Sequence, residues 1–151
     1  MSIPELRVFH LGMVVRDTEA TIEMYRKALG VQNWKTRTIG TPESPIKMTY
    51  GGSDGHIAYE LFEVTAPGST MFHVFLEEHG EGVQHIGYWT PDPKAAVQAA
   101  LEAGGRLMNL QADQRSTVAQ VAPGDVDLDN LSRVTFVNPG LSGVRLEFVG
   151  P

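Results

Sequence analysis

The chain has 151 residues, 42% of them hydrophobic, a formal net charge of −6 and no cysteine. That length suits one domain, or two small modules sharing a core, and the lack of cysteine excludes disulfides and thiolate metal sites and fits the cytoplasm. The acidic balance argues against a nucleic-acid binder, which needs clustered Lys and Arg, the apolar runs are too short for a membrane span, and residues 1–5 lack the basic-then-apolar order of a signal peptide.

Residues 6–15 alternate and are rich in apolar side chains, as a strand requires. Asp17 follows as a helix N-cap. Ile22, Tyr25 and Leu29, at i, i+3 and i+7, make one helical face, and Gly30 stands where a left-handed glycine ends a helix. Residues 34–39 read as a second strand, 40–45, with two prolines, as a loop, and 46–50 as a third strand. Gly51-Gly52-Ser53-Asp54-Gly55 is a turn signal, with 57–64 as the fourth strand. The first module is therefore β-α-β-β-β over about 6–65. A linker at 66–82 opens with Pro67, Gly68 and Ser69, carries a short amphipathic helix around Phe72, Phe75 and Leu76, and closes at Gly80 and Gly82.

The second module, about 83–150, repeats this order. A strand at 83–90 leads to Asp92 as N-cap and Pro93 at the first helical position, where a missing N–H costs nothing. Val97, Ala100 and Leu101 form the apolar face, and Gly104 and Gly105 end the helix. A strand starts at 106–110. Residues 111–130, polar and rich in Asp and Gln, read as a long loop or an extended hairpin. Strands at 133–137 and 144–149 flank the turn Asn138-Pro139-Gly140. The fold class expected is α+β: a single domain, 1–151, of two tandem βαβββ modules.

The repeat is testable by direct comparison. Residues 8–30 align with 83–105 without a gap at an offset of 75 (85 − 10), matching Val8/Val83, His10/His85, Gly12/Gly87, Asp17/Asp92, Ala20/Ala95, Ala28/Ala103 and Gly30/Gly105. The last strands align as Tyr59-Glu60-Leu61-Phe62 with Leu146-Glu147-Phe148-Val149 at an offset of 87 (147 − 60), so the second module is longer by 12 (87 − 75), and 111–130 absorbs the excess. Helix-capping rules explain the matched Asp and Gly. They do not explain a histidine at the same depth of both first strands.

Each module thus offers one histidine and one glutamate in sequence that otherwise reads as buried. A carboxylate between Tyr59 and Leu61, or between Leu146 and Phe148, is costly to bury unless paired or metal-bound. Strand alternation lets one face meet core and the other a cleft. If the modules pack with pseudo-twofold symmetry, His10, Glu60, His85 and Glu147 converge, a donor set suited to one divalent metal such as Zn, Ni, Co, Mn or Fe. Taken singly, a strand histidine is usually a satisfied core residue and a strand glutamate usually solvated; the repetition favours the site. His56, His73 and His79 read as surface residues, and Glu63, Glu77, Glu78 and Glu81 as solvated. Trp34, Tyr50, Tyr59, Tyr88 and Trp89 read as core, with Tyr50 and Trp89 able to line a cleft. Phosphate-binding glycine motifs and a Gly-x-Ser-x-Gly elbow are lacking, and Ser53 sits in an ordinary hairpin turn.

Phe9-His10-Leu11-Gly12 with Asp17, Tyr59-Glu60-Leu61, Gly82-Val83-Gln84-His85-Ile86-Gly87 with Asp92, and Val144-Arg145-Leu146-Glu147 resemble, in order and spacing, the vicinal oxygen chelate superfamily. That superfamily includes glyoxalase I, methylmalonyl-CoA epimerase, extradiol dioxygenases and bleomycin-resistance proteins. The resemblance spans about 6–149 and implies a cupped mixed sheet around a metal cleft, with His10, Glu60, His85 and Glu147 at the four ligand positions. Residues 75–86 look most like the methylmalonyl-CoA epimerase and glyoxalase-like branch. The chain departs from it at Gln84, where that branch often has a second histidine, at Asn138-Pro139-Gly140, where it tends to carry His-Pro, and in the long 111–130 stretch.

Composition fits a cytoplasmic protein with no nucleic-acid or membrane partner, and the resemblance implies an enzyme, often a homodimer, acting on a small-molecule substrate. Its activity would be that of a metal-dependent isomerase, epimerase or lyase stabilising the enolate of a carbonyl or thioester compound, with Glu147 or Glu60 moving the proton. An Fe(II) extradiol-type dioxygenase is a second reading, disfavoured because a fourth ligand at Glu60 crowds the open positions. A non-catalytic small-molecule binder is a third, and such proteins usually lack the four ligands.

Overall fold

The computed structural model describes residues 4–52, 57–140 and 143–151. Its contacts divide the chain into two units, His10–Gln84 and Met1–Phe9 with His85–Pro151.

The first unit carries β1 (Arg7–Val15, from His10 onward), α1 (Thr18–Leu29), β2 (Lys35–Thr41), β3 (Ser44–Gly51), β4 (Ala58–Val64) and α2 (Met71–His79). Its strands lie in the order β2-β3-β4-β1. β2/β3 and β3/β4 are antiparallel and β1/β4 is parallel. Helix α1 begins where the Asp17 carboxylate accepts the Ala20 N–H at 2.9 Å and ends at Gly30 with φ 66°. Thr18 and Ile22 are buried, and Ile22 packs with Val15 and Leu61. Leu29, expected on the same face, is 56% exposed. It is the last helical residue, about 10 Å further along the axis than Ile22. Burial and the neighbouring Tyr59 push the Tyr25 hydroxyl above its usual range.

Residues 40–45 differ from the loop expected. Pairing of β2 with β3 runs on to Thr41↔Ser44, leaving only a two-residue turn. Gly40 permits it: its φ is 84°, and a Cβ there would lie 2.3 Å from the Ser44 carbonyl oxygen. The expected turn at 51–55 loses residues 53–55, and with them His56, from the described residues.

Two expectations of exposure, at His73 and Glu63, are also corrected, whereas Glu81 is exposed as expected. His73 is buried at the start of α2, its Nδ1 2.7 Å from Thr70 Oγ1 and its Nε2 2.8 Å from the Ala66 carbonyl oxygen. A ring whose two nitrogens both find partners can leave water. Glu63 and Glu81 accept the backbone N–H groups of Thr18 (2.8 Å) and Arg16 (2.6 Å). Those donors lie at the start of α1, where unsatisfied N–H groups and the helix dipole favour a carboxylate. Phe72 of α2 stacks on Phe62 with centroids 4.1 Å apart.

The second unit holds β5 (Gly82–Trp89, from His85 onward), α3 (Pro93–Glu102), β6 (Arg106–Met108), β7 (Gln120–Val121), β8 (Val134–Asn138) and β9 (Arg145–Val149). The strand order is β5-β9-β8-β6-β7, with β5/β9 parallel and the other pairs antiparallel. Asp92 caps α3 by accepting the Ala95 N–H at 3.0 Å. Ala96, Val97 and Leu101 bury against Val137 and Phe148. The left-handed residue after α3 is Gly104, φ 100°, and not Gly105, the counterpart of Gly30 in the alignment. Gly105 is needed for closeness: a Cβ there would sit 2.8 Å from both the Ala100 carbonyl oxygen and Val137 Cγ1.

Strand β6 stops at Met108, short of residue 110, because the Asn109 side chain accepts the Gln111 N–H and turns the chain. The stretch that follows forms three single 3₁₀ turns, Thr117–Ala119, Pro123–Asp125 and Leu128–Asn130, with β7 pairing back on β6 as a hairpin. Among the described residues no helix is long and apolar enough to cross a membrane.

The two aspartate caps are solvent-exposed at their hydrogen bonds and make separable contributions. Asp17→Ala and Asp92→Ala are each expected to lower unfolding stability by about 1 kcal/mol. Urea titration checks this, with the midpoint moving and the slope unchanged; an unmoved midpoint in both variants would remove the capping role.

Candidate functional site

The parallel strand pair of the first unit sets one histidine beside one glutamate. In the β1/β4 register His10 is opposite Ala58, and Gly12 is opposite Glu60. Residues 10, 12 and 14 share one face of β1, while Met13 and Val15 on the other pack with Ile22 of α1. The face bearing His10 is therefore the one α1 leaves alone. His10 is 1% exposed, and its Nε2 lies 3.3 Å from Oε2 of Glu60, which is half-buried.

The second unit repeats the arrangement. His85 is opposite Arg145, and Gly87 is opposite Glu147. Leu146 and Phe148, the alternate residues, pack on the cluster around α3. His85 Nε2 lies 2.9 Å from Glu147 Oε2, with both residues buried. Phe136, the β8 partner of Glu147, meets the His85 ring edge-on with centroids 5.1 Å apart and holds its orientation. In both units the partner of the glutamate on the parallel strand is a glycine, which puts no side chain on that side of the carboxylate.

Each of the four residues offers a ligand atom of a type divalent metals accept. The spacing within each pair fits as well. Ligand atoms about 2.0–2.2 Å from an ion stand about 2.9 Å apart at a right angle and about 3.4 Å apart at a tetrahedral one. The observed separations are 2.9 and 3.3 Å. The structure thus brings together His10 with Glu60 and His85 with Glu147.

Glu60 opens on a cleft of about 320 Å³ lined by Lys35, Thr36, Arg37, Met48 and Tyr50. Cross-strand register explains the lining. Lys35, Tyr50 and Glu60 are successive partners across β2, β3 and β4, so they stand in one row on one face, with Arg37 and Met48 in the next row. Tyr50, 42% exposed, is a cleft residue and not core. Trp89 instead carries the Arg7 guanidinium 5.3 Å above its ring. Trp34 and Tyr59 pack around Tyr25. Sequence reading missed Lys35 and Arg37. Their i, i+2 spacing puts both on one strand face, but only the register shows that Glu60 shares it.

A family model described as the glyoxalase/bleomycin resistance protein/dioxygenase superfamily matches residues 9–122. No curated protein matches the chain. Among solved structures, methylmalonyl-CoA epimerase from Mycobacterium tuberculosis is similar at 24% identity and a TM-score of 0.65, over 95% of this chain and 87% of that one. A variant of Streptomyces coelicolor methylmalonyl-CoA epimerase in complex with 2-nitronate-propionyl-CoA is 26% identical with a TM-score of 0.62, over 95% and 96%. A mutant of 4-hydroxymandelate synthase from Streptomyces coelicolor, 18% identical with a TM-score of 0.70, shares the fold over 95% of this chain and 48% of its own.

Proposed function

Because the chain belongs to the glyoxalase/bleomycin resistance protein/dioxygenase superfamily, we propose that it is a divalent-metal-dependent enzyme of the epimerase or isomerase type. Its reaction moves a proton at the carbon next to a carbonyl or thioester group of a small substrate. The observation that carries this reading is the duplicated histidine–glutamate pair, in the same register of both parallel strand pairs. One pair supplies two ligands, fewer than the three or four protein ligands usual for zinc, whereas His10, Glu60, His85 and Glu147 acting on one ion supply four. The epimerase structures, similar at 24% and 26% identity, support a thioester as substrate.

A divalent ion held there would polarise the substrate oxygen and acidify the neighbouring C–H. The chain's own residues do the rest. His10 and His85, enclosed in their units, are the neutral ligands, and Phe136 fixes the plane of His85. Glu147 is nearly enclosed, with its side chain 8% exposed, whereas that of Glu60 is 19% exposed and opens on the cleft. A base must reach the proton it removes, so Glu60 is the carboxylate placed to move it, and Glu147 holds its histidine and the ion.

Elemental analysis of the purified protein together with solvent-deuterium incorporation into methylmalonyl-CoA tests the reading. About one divalent ion per chain, and deuterium at the carbon next to the thioester that chelation abolishes, are expected. Metal-free protein after supplementation with each of Zn, Ni, Co, Mn and Fe(II) would favour a non-catalytic binder. Oxygen uptake with a catechol only in the Fe(II) form would favour the dioxygenase reading.

A further inference from the structure

The cleft at Glu60 holds charges that no other described group answers. Lys35 and Arg37 both line it, both are exposed, and the side chain of neither enters an ion pair or hydrogen bond with a described residue. This is unusual company for a chain of net charge −6. Arg26 and Lys27, by contrast, pair with Glu23, the half-buried Lys47 with Glu19, and Lys94 with Asp129, while the exposed Arg16 and Arg106, also without an ion pair among the described residues, line no part of this cleft. Two cations two residues apart on one strand face, above a floor of Met48 and Tyr50, leave a positive rim beside an apolar and phenolic surface.

We propose that Lys35 and Arg37 form an anion-recognition subsite, so that the substrate is a small acid bearing a carboxylate or phosphate away from its reacting carbon. Arg37 supplies a planar fork that takes two oxygens of such a group, and Lys35 supplies a point charge. The register sets the distance. Lys35 and Glu60 lie two strand spacings apart, about 10 Å between backbones, and the lysine stem covers part of that span. The anion and the carbon facing Glu60 are thus separated by a few bonds. The cleft, about 320 Å³ and open to solvent, has room for such a group beside the carbon facing Glu60. The cleft takes a small acid, or the acyl end of a larger one whose remainder lies outside it. The inference rests on the proposed function only in taking Glu60 to face the reacting carbon.

The test is a titration of isotope-labelled protein with three probes, glutarate, its uncharged diamide and inorganic phosphate, followed by backbone amide shifts with and without a chelator. Saturable shifts at Lys35, Arg37 and Tyr50 are expected with an anionic probe and not with the diamide. Glutarate as the tighter probe identifies a carboxylic acid, and phosphate as the tighter probe identifies a phosphorylated one. Lys35→Gln/Arg37→Gln is expected to weaken anion binding by about 10- to 100-fold, the loss that follows removal of charged hydrogen bonds. Its metal content should stay unchanged, because neither residue lies among the proposed ligands, and both are exposed strand residues that the fold does not need. Equal binding of acid and diamide, or undiminished binding by the double variant, overturns the subsite. Anion binding that persists in a protein shown to hold no metal and exchange no proton leaves the subsite standing and removes the enzyme reading.

Discussion

His85→Ala is expected to lose its divalent ion and, with it, all measurable proton exchange. The imidazole is fully buried, 2.9 Å from the Glu147 carboxylate and edge-on to Phe136. Loss of a supporting group around a metal already lowers affinity about 10- to 100-fold, so loss of a ligand is expected to exceed about 100-fold on the same scale. Stability should fall too. Leaving the buried Glu147 carboxylate without its partner costs about 1–3 kcal/mol or more, and the excised ring leaves a cavity against Phe136. Two measurements separate these effects: elemental analysis after dialysis against a weak chelator, and a urea midpoint. His85→Gln, which keeps volume and a ligating oxygen, should recover most of the stability and part of the metal. A folded His85→Ala protein with a full complement of metal would end the assignment of His85 as a ligand.

Glu60→Gln is expected to have the second-largest effect, and a different one. The amide keeps an oxygen for the ion but cannot take a proton. General-base removal lowers turnover by about 10²- to 10⁴-fold, and the fold should be untouched, since Glu60 is half-buried and borders an open cleft. Glu147→Gln, at an enclosed carboxylate, should instead lower metal content first. Deuterium incorporation measured beside bound metal in both variants separates the two roles. Full exchange by both would show that neither carboxylate moves the proton. A loss confined to Glu147→Gln would transfer the base role to the buried pair.

Element order was largely legible because it depends on local rules. Strand alternation, Asp17 and Asp92 as caps and Gly30 as terminator each act within a few residues, and the 75-residue offset placed His10 and His85 at equivalent depth before any coordinates. The errors arose where a local signal met a distant partner. Pro42 and Pro45 suggested a loop, but pairing across β2 and β3 continued through it. Residues 111–130 read as a long loop or an extended hairpin, and only the pairing of β7 with β6 decided for the hairpin. His73 and Glu63 resembled surface residues because their partners, the Ala66 carbonyl and the Thr18 N–H, are invisible in composition.

By itself, then, the sequence determined the α+β class, the internal repeat and the four residues worth watching, because periodicity, capping and duplication are written along the chain. Only the tertiary structure decided that Gly12 and Gly87 stand opposite Glu60 and Glu147, that the paired side-chain atoms lie 3.3 and 2.9 Å apart, and that Lys35, Arg37 and Tyr50 share a cleft with Glu60. Those facts follow from strand register. A slip of one residue would turn every one of these side chains to the other face, and register is set by pairing between strands far apart in sequence, which no local pattern records.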